Sequence, residues 1–161
     1  MSRELNGDEL GAAISAAVSG AVVRSAGDAV WIKPEAVLEV ARFVKDDPAL
    51  RFDQLCSLTA VDYIDHFELV YRFRSLPHNT TAVIKAKLGY SRDELEVDSV
   101  YDVWRGADLL ERETWDLMGI QFRGHPNLKR LMLWEGFPGH PLRKDFLSYD
   151  QSVVPVEHHD D

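Results

Sequence analysis

The feature that most limits how this chain can fold lies between Gln121 and Asp145, where three of its ten glycines and three of its seven prolines are mixed with Phe122, Trp134 and Phe137. Proline removes the N–H that helices and sheet ladders need, and glycine opens the backbone to turns. The segment reads as ordered loop, not repeating structure. Two triplets within it, Gly124-His125-Pro126 and Gly139-His140-Pro141, describe sharp, rigid turns, each with one polar side chain to lock it by hydrogen bonding. Its five basic and two acidic residues give +3, against −8 for residues 1–120 and −4 for residues 146–161. Charge is therefore segregated along the chain, and a partner-facing basic loop is one explanation.

Regular structure is expected before that loop. With 161 residues, the chain fits one core, taken as a single domain over residues 1–146 with a solvated tail over 147–161. Asn6 as N-cap, Glu9 three residues on, and the stripe Leu10, Ile14 and Val18 predict an amphipathic helix within residues 1–20. Two β-prone runs, Ala21 to Arg24 and Ala29 to Lys33, flank the turn-like Ser25-Ala26-Gly27-Asp28. A second helix begins at Pro34, carries Val37, Val40, Ala41 and Val44, and stops at Asp46-Asp47-Pro48. Phe52 to Ala60 reads as a short helix. His66 to Ser75 and Thr80 to Leu88 alternate like paired strands around Leu76-Pro77-His78-Asn79. A last helix is expected from about Val100 to Met118, with Gly106 as a possible break and Gly119 just past its end. The predicted class is α+β: a two-layer domain with a small mixed or antiparallel sheet packed against helices, followed by an extended C-terminal loop.

Several functions are excluded or disfavoured by composition. The net charge of −9 would repel a phosphate backbone. Cys56 is the single cysteine, so no internal disulfide or Cys-ligated cluster can form, and within Leu55-Cys56-Ser57-Leu58 it is expected to pack as a small hydrophobe. The least polar stretch, Gly11 to Val23, is too short to cross a bilayer and lacks a basic flank, which predicts a mature cytoplasmic N-terminus. Neither GxGxxG, GxxxxGK[ST] nor GxSxG occurs.

The densest ionisable group is Glu111-Arg112-Glu113-Thr114-Trp115-Asp116. With Leu110, Thr114 and Leu117 as the inward stripe, Glu113 lies beside it, and Arg112 and Asp116 form an outward i, i+4 pair. A buried Glu113 would need a cation, and Arg130, Arg143 and Lys144 are candidates, so a helix-to-loop salt bridge is favoured over acid–base catalysis. Trp115 then projects to the polar side and points to a covered surface or a contact between subunits. The histidines invite a metal reading, but no helix-face spacing supports it, and His158 and His159 lie in the tail. An enzyme using Glu113, His125 or His140 for proton transfer remains the alternative class.

ERETWDLMGIQFRGHPNLKRLML followed by WEGFPGHPLRKDF resembles the signature of the respiratory complex I 30-kDa subunit family, found in bacterial NADH:quinone oxidoreductases, and DDPALRFDQLCSLTAVDY with FELVYRF extends the likeness over about residues 46–146. Lys129 departs from it, standing where the signature usually has the first of two arginines; a lysine cannot make the same planar bidentate bond. The stop soon after Phe146 argues against the form fused to the large subunit. The resemblance implies an α+β fold and a scaffold place in the peripheral arm, on the cytoplasmic side of the cell membrane. There it would lie against the hydrogenase-like large subunit of the quinone module and neighbouring iron–sulfur subunits. It implies no catalytic residue, metal or cofactor in this chain, with FMN and Fe–S clusters held by partner subunits. Glu111, Arg112, Glu113, Trp115, Asp116, Gly119, Gly124, His125, Pro126, Arg130, Gly139, His140, Pro141, Arg143, Lys144 and Asp145 are then structural and interface residues. Similar subunits of membrane-bound hydrogenases, deazaflavin-dependent dehydrogenases and ferredoxin-driven complexes give the alternative machine.

Overall fold

A computed structural model of the chain describes residues 1–89, 92–93 and 95–147. Apart from Leu147, the expected solvated tail lies outside the described residues. In order come β1 (Arg3–Glu4), α1 (Gly7–Ala17), β2 (Val22–Ala26), β3 (Ala29–Ile32), α2 (Val37–Asp46), β4 (Gln54–Asp62), β5 (Phe67–Ser75), β6 (Thr80–Leu88), β7 (Glu96–Asp98), α3 (Ala107–Met118) and β8 (Gln121–Arg123). The main sheet is mixed, in the order β2-β3-β6-β5-β4, with β1 joining β6 in parallel ahead of β3. β7 and β8 pair in parallel as a separate ribbon.

Period-two alternation sends Phe67, Leu69, Tyr71 and Phe73 of β5, and Ala82, Ile84, Ala86 and Leu88 of β6, to one face. These side chains form one buried cluster with Leu10 and Ile14 of α1 and Val37, Val40, Ala41 and Val44 of α2. Both helical stripes are those expected. Asn6 caps α1 by accepting the Asp8 N–H at 2.8 Å, whereas Glu9 turns away to pair with Arg3. The two strand runs around the turn at Gly27 pair as β2 and β3. At the sheet's open end, the Phe73 ring lies 4.9 Å from Trp104 and 6.1 Å from Phe52, and the Trp104 indole N–H donates to the Phe52 carbonyl at 2.9 Å.

Phe52 to Ala60 corrects one expectation: from Gln54 it is strand, not helix. Leu55 and Leu58 both face the core although three residues apart, because a bulge at Cys56 sets Leu55 opposite Phe73 and Ser57 opposite Arg72. An extra residue in a strand copies the i, i+3 spacing of a helix. The bulge also leaves Cys56 exposed, so it does not pack as a small hydrophobe. Gln121–Arg123, expected as loop, pairs with β7 instead. The last helix is shorter than expected, beginning at Ala107; Val100 to Trp104 is a separate tight turn closed by the Val103 and Trp104 N–H groups on the Val100 carbonyl. Gly119 closes α3 in the left-handed conformation, φ 77°.

Truncating Phe73 to Ala would empty a site bounded by Tyr71, Phe52 and Trp104. Urea unfolding should show a loss of about 3–5 kcal/mol; a loss below about 1 kcal/mol would mean that this aromatic cluster is not packed as described.

Candidate functional site

The charged residues of α3 do not sit as the sequence suggested. Its buried side is Ala107, Glu111, Thr114, Asp116 and Met118, while Leu110 and Leu117 are only half-buried and Glu113 is exposed. The stripe is rotated because two carboxylates, not leucines, occupy the inward positions, and both find enough donors to be buried. Arg112 and Asp116 do share a flank, as i, i+4 spacing requires, but they do not pair with each other. Both reach the loop beyond β8. The Arg112 guanidinium donates to the carbonyls of Lys129 at 3.1 Å and Arg130 at 3.0 Å, so position 129 contributes its backbone.

Asp116 is the centre of the site. Its side chain is fully buried, and one carboxylate oxygen accepts three consecutive backbone N–H groups, from Leu131 at 3.1 Å, Met132 at 2.8 Å and Leu133 at 3.0 Å. The other accepts Arg130 Nη1 at 2.7 Å. Burial alone would push this carboxyl up; Arg130 and the three amides outweigh that and hold it below the usual carboxylate range. Arg130 Nη2 continues to the carbonyls of Phe137 at 2.6 Å and Gly139 at 3.2 Å, tying the far end of the loop to the same anchor. The expected helix-to-loop salt bridge therefore exists, with Asp116 in the place proposed for Glu113.

The histidine turns lock as expected. His140 Nδ1 donates to the Asp116 carbonyl at 2.9 Å, and its ring covers Gly119 so closely that a Cβ there would fall 2.7 Å from His140 Cδ2. Trp115, half-buried, meets the His140 ring edge-on at 6.1 Å and the Arg130 guanidinium at 5.6 Å. Its cover is the chain's own loop. The Asn127 N–H donates to His125 Nδ1 at 3.0 Å, so the proton sits on Nε2, which donates to the Asp108 carbonyl at 3.2 Å. Gly124 and Gly139 take positive φ, 81° and 110°, ahead of His125-Pro126 and His140-Pro141.

A second anchor holds the last part of the loop. Asp62, inward-facing at the end of β4, is gripped by both terminal nitrogens of Arg92 at 2.9 and 2.6 Å and accepts the Lys144 backbone N–H at 2.8 Å. Arg92 Nε and Arg143 Nε each donate to Asp145, at 2.9 and 3.0 Å. Arg92 first, then Lys144 and Ile64, depress Asp62 against the opposing effect of burial; Arg143 and Arg92 do the same for Asp145. Sequence reading missed Asp62 and Arg92. Recognising β4 as a strand would have placed Asp62 at an inward position opposite Phe67, while nothing in the sequence marks Arg92.

Glu111 differs from the other carboxyls. It accepts the Ser99 hydroxyl at 2.6 Å and the Val100 N–H at 2.7 Å, with His125 Nε2 4.0 Å away. Burial dominates, aided by Asp108, and pushes it up to about 7 despite those two donors. Chemically, these groups fasten the loop to the body of the fold: both oxygens of Asp62 and of Asp116 are committed to donors.

Residues 30–152 match the family described as the 30 Kd subunit of respiratory-chain NADH dehydrogenase. The chain belongs to this 30-kDa subunit family. One relative, the second of the C-type subunits of NADH-quinone oxidoreductase from Rhizobium etli (strain CIAT 652), is 46% identical over 122 residues, 74% of this chain and 64% of that protein. The corresponding C-type protein of Roseiflexus sp. (strain RS-1) is 40% identical over 141 residues, 86% of this chain and 80% of that protein. The chain thus spans under two thirds of the Rhizobium etli protein and 63% of its counterpart from Rhizobium meliloti (strain 1021). Among solved structures, the trypsin-resistant fragment (1–134) of Nqo5 superposes with TM-score 0.54 at 28% identity, covering 62% of this chain and 81% of that one. A chain of an archaeal membrane-bound sulfane sulfur reductase shares the fold, with TM-score 0.67 at 20% identity over 96% of this chain and 94% of that one.

In this chain, Gly119→Ala should cost at least about 1–2 kcal/mol from the left-handed backbone alone, with a further loss from displacing His140; thermal unfolding measures it. The pH dependence has two limbs. Asp62, Asp116 and Asp145 are depressed in the fold, so their contribution is present above about pH 4 and is lost as pH falls. Glu111 is raised from an ordinary value near 4.5 to about 7, so the fold holds a proton that the unfolded chain releases, and stability declines between those values as pH rises. Urea unfolding across pH should show a maximum near the crossing of the two limbs, and Glu111→Gln should flatten the upper one. An unchanged upper limb in that variant would contradict the assignment.

Proposed function

We propose that this chain is a non-catalytic scaffold subunit of the peripheral arm of a proton-translocating NADH:quinone oxidoreductase, in which electrons pass from NADH through FMN and Fe–S clusters of partner subunits to quinone. Family membership supports the assignment to the machine, and the Asp116–Arg130 anchor supports the scaffold role. That anchor fixes a loop that presents Met132, 64% exposed, with Trp134 and Leu142, half or more exposed, beside the exposed cations Lys129 and Lys144. An ordered loop that displays large apolar side chains is suited to a partner subunit. The partner in this reading is the hydrogenase-like large subunit of the quinone module, with neighbouring Fe–S subunits. In this reading the chain itself holds no cofactor, and its single cysteine could not ligate an Fe–S cluster alone. Among the described residues no helix is long and apolar enough to cross a membrane; in this reading the chain attaches to the cytoplasmic side of the membrane through its partners.

Tagged chain purified from detergent-solubilised native membranes tests this reading. Hydrogenase-like, Fe–S and NADH-binding subunits should co-purify with NADH:quinone activity. Met132→Asp should abolish their recovery while leaving the chain folded, since Met132 is already largely exposed. Co-purification of the same set without an NADH-binding subunit would move the scaffold to a related machine, and purification as a lone protein would refute it.

A further inference from the structure

Among the described residues, α1 and α2 cover one face of the main sheet, where the buried cluster joins them to the inward residues of β5 and β6, while Arg72, Arg74 and Lys87 are exposed on the other. The strand register assembles the other face. Arg24 of β2 stands beside Trp31 of β3, which is opposite Lys85 of β6 and then Val70 of β5; the flanking rows bring Lys87 beside Glu68, Arg72 beside Val83, and Arg74 beside Thr81. The strands thus place five basic side chains on this face, against two carboxylates, Glu68 and, at the margin on β1, Glu4. This concentration of positive charge occurs on a chain whose net charge is −9.

The centre of the face is already organised. The Arg24 guanidinium lies 3.6 Å from the Trp31 ring centroid, and Lys85 Nζ lies 4.9 Å from it on its way to Glu68 at 3.5 Å. The Trp31 indole N–H donates to the other Glu68 oxygen at 3.0 Å. Around this fixed core, Arg72, Arg74 and Lys87 are exposed, and among the described residues neither arginine makes a side-chain hydrogen bond or ion pair. Two long cations held by neighbouring positions of one strand, without counter-ions, have their carboxylate partners to gain from outside the chain.

We propose that this outer sheet face is a second docking surface, which takes an acidic protein surface through Arg72, Arg74 and Lys87. Charge complementarity identifies the occupant. Nucleic acid fits less well, because Arg24 already covers the Trp31 ring on which a base would stack, and the rest of the chain repels phosphate. A lipid surface fits less well because the apolar side chains on this face are small, Val61 and Val70, and its tryptophan, Trp31, is held under Arg24 and Lys85. The proposal stands independently of the loop reading, which rests on the partners of Asp116.

The test is a titration of the isotope-labelled full chain with sodium poly-L-glutamate, followed by NMR. The Trp31 indole N–H and the amides of β5 and β6 should shift with a salt-sensitive affinity, and R72E/R74E/K87E should weaken binding at least about tenfold. If the triple variant fails to fold, Arg72→Glu alone decides on the same signals. No shift at this face, or equal binding by the variant, would overturn the proposal. So would tighter binding of a short duplex DNA or of phosphatidylglycerol vesicles to the same residues.

Discussion

A single buried carboxylate, Asp116, organises the loop that follows β8. Removing Asp116 from water is costly unless its lone pairs are filled, and here they are filled by one guanidinium and three successive backbone amides. Three amides can converge on one oxygen only if residues 131–133 adopt a particular turn. The carboxylate therefore selects the loop's conformation as much as it stabilises it. Arg130 extends the constraint by closing on the Phe137 and Gly139 carbonyls, so two stretches of chain without helix or strand are held from one point.

The surroundings make that point rigid. Gly119 ends α3 in a left-handed turn and leaves room for His140, which returns to the Asp116 carbonyl. Arg112, one helical turn before Asp116, holds the two carbonyls just ahead of the triple-amide turn. The Asp62–Arg92–Asp145 group fastens the last described residues to the end of β4. A surface fixed in advance loses less entropy when a partner binds, which links this local chemistry to the scaffold role.

Much of the body of the fold was legible in the sequence, because its elements follow single periods. The alternation in β5 and β6 and the stripes of α1 and α2 appear in the structure on the faces assigned to them. The departures have physical causes. The bulge at Cys56 replaced the period of a strand with that of a helix, which hid β4 and with it Asp62. On α3, hydrophobicity predicted a core of leucines, but Glu111 and Asp116 take inward positions because their partners lie 11 to 17 residues away in sequence. No helical pattern records those partners. Glycine and proline correctly marked the loop, and the Gly-His-Pro turns lock through histidine as their composition implied; the identity of the carboxylate that holds them required the three-dimensional arrangement.

Hydrogen exchange at the amides of Leu131, Met132 and Leu133 in the isolated full chain tests the central claim most directly. These amides lie outside helices and sheets, and their acceptor is the Asp116 carboxylate. Protection comparable with that of the α3 amides is predicted, lost together at all three positions when Asp116 is replaced by Asn. Exchange at the rate of an open loop in the unmodified chain would show that the carboxylate does not hold this segment, and the scaffold role would lose its structural basis.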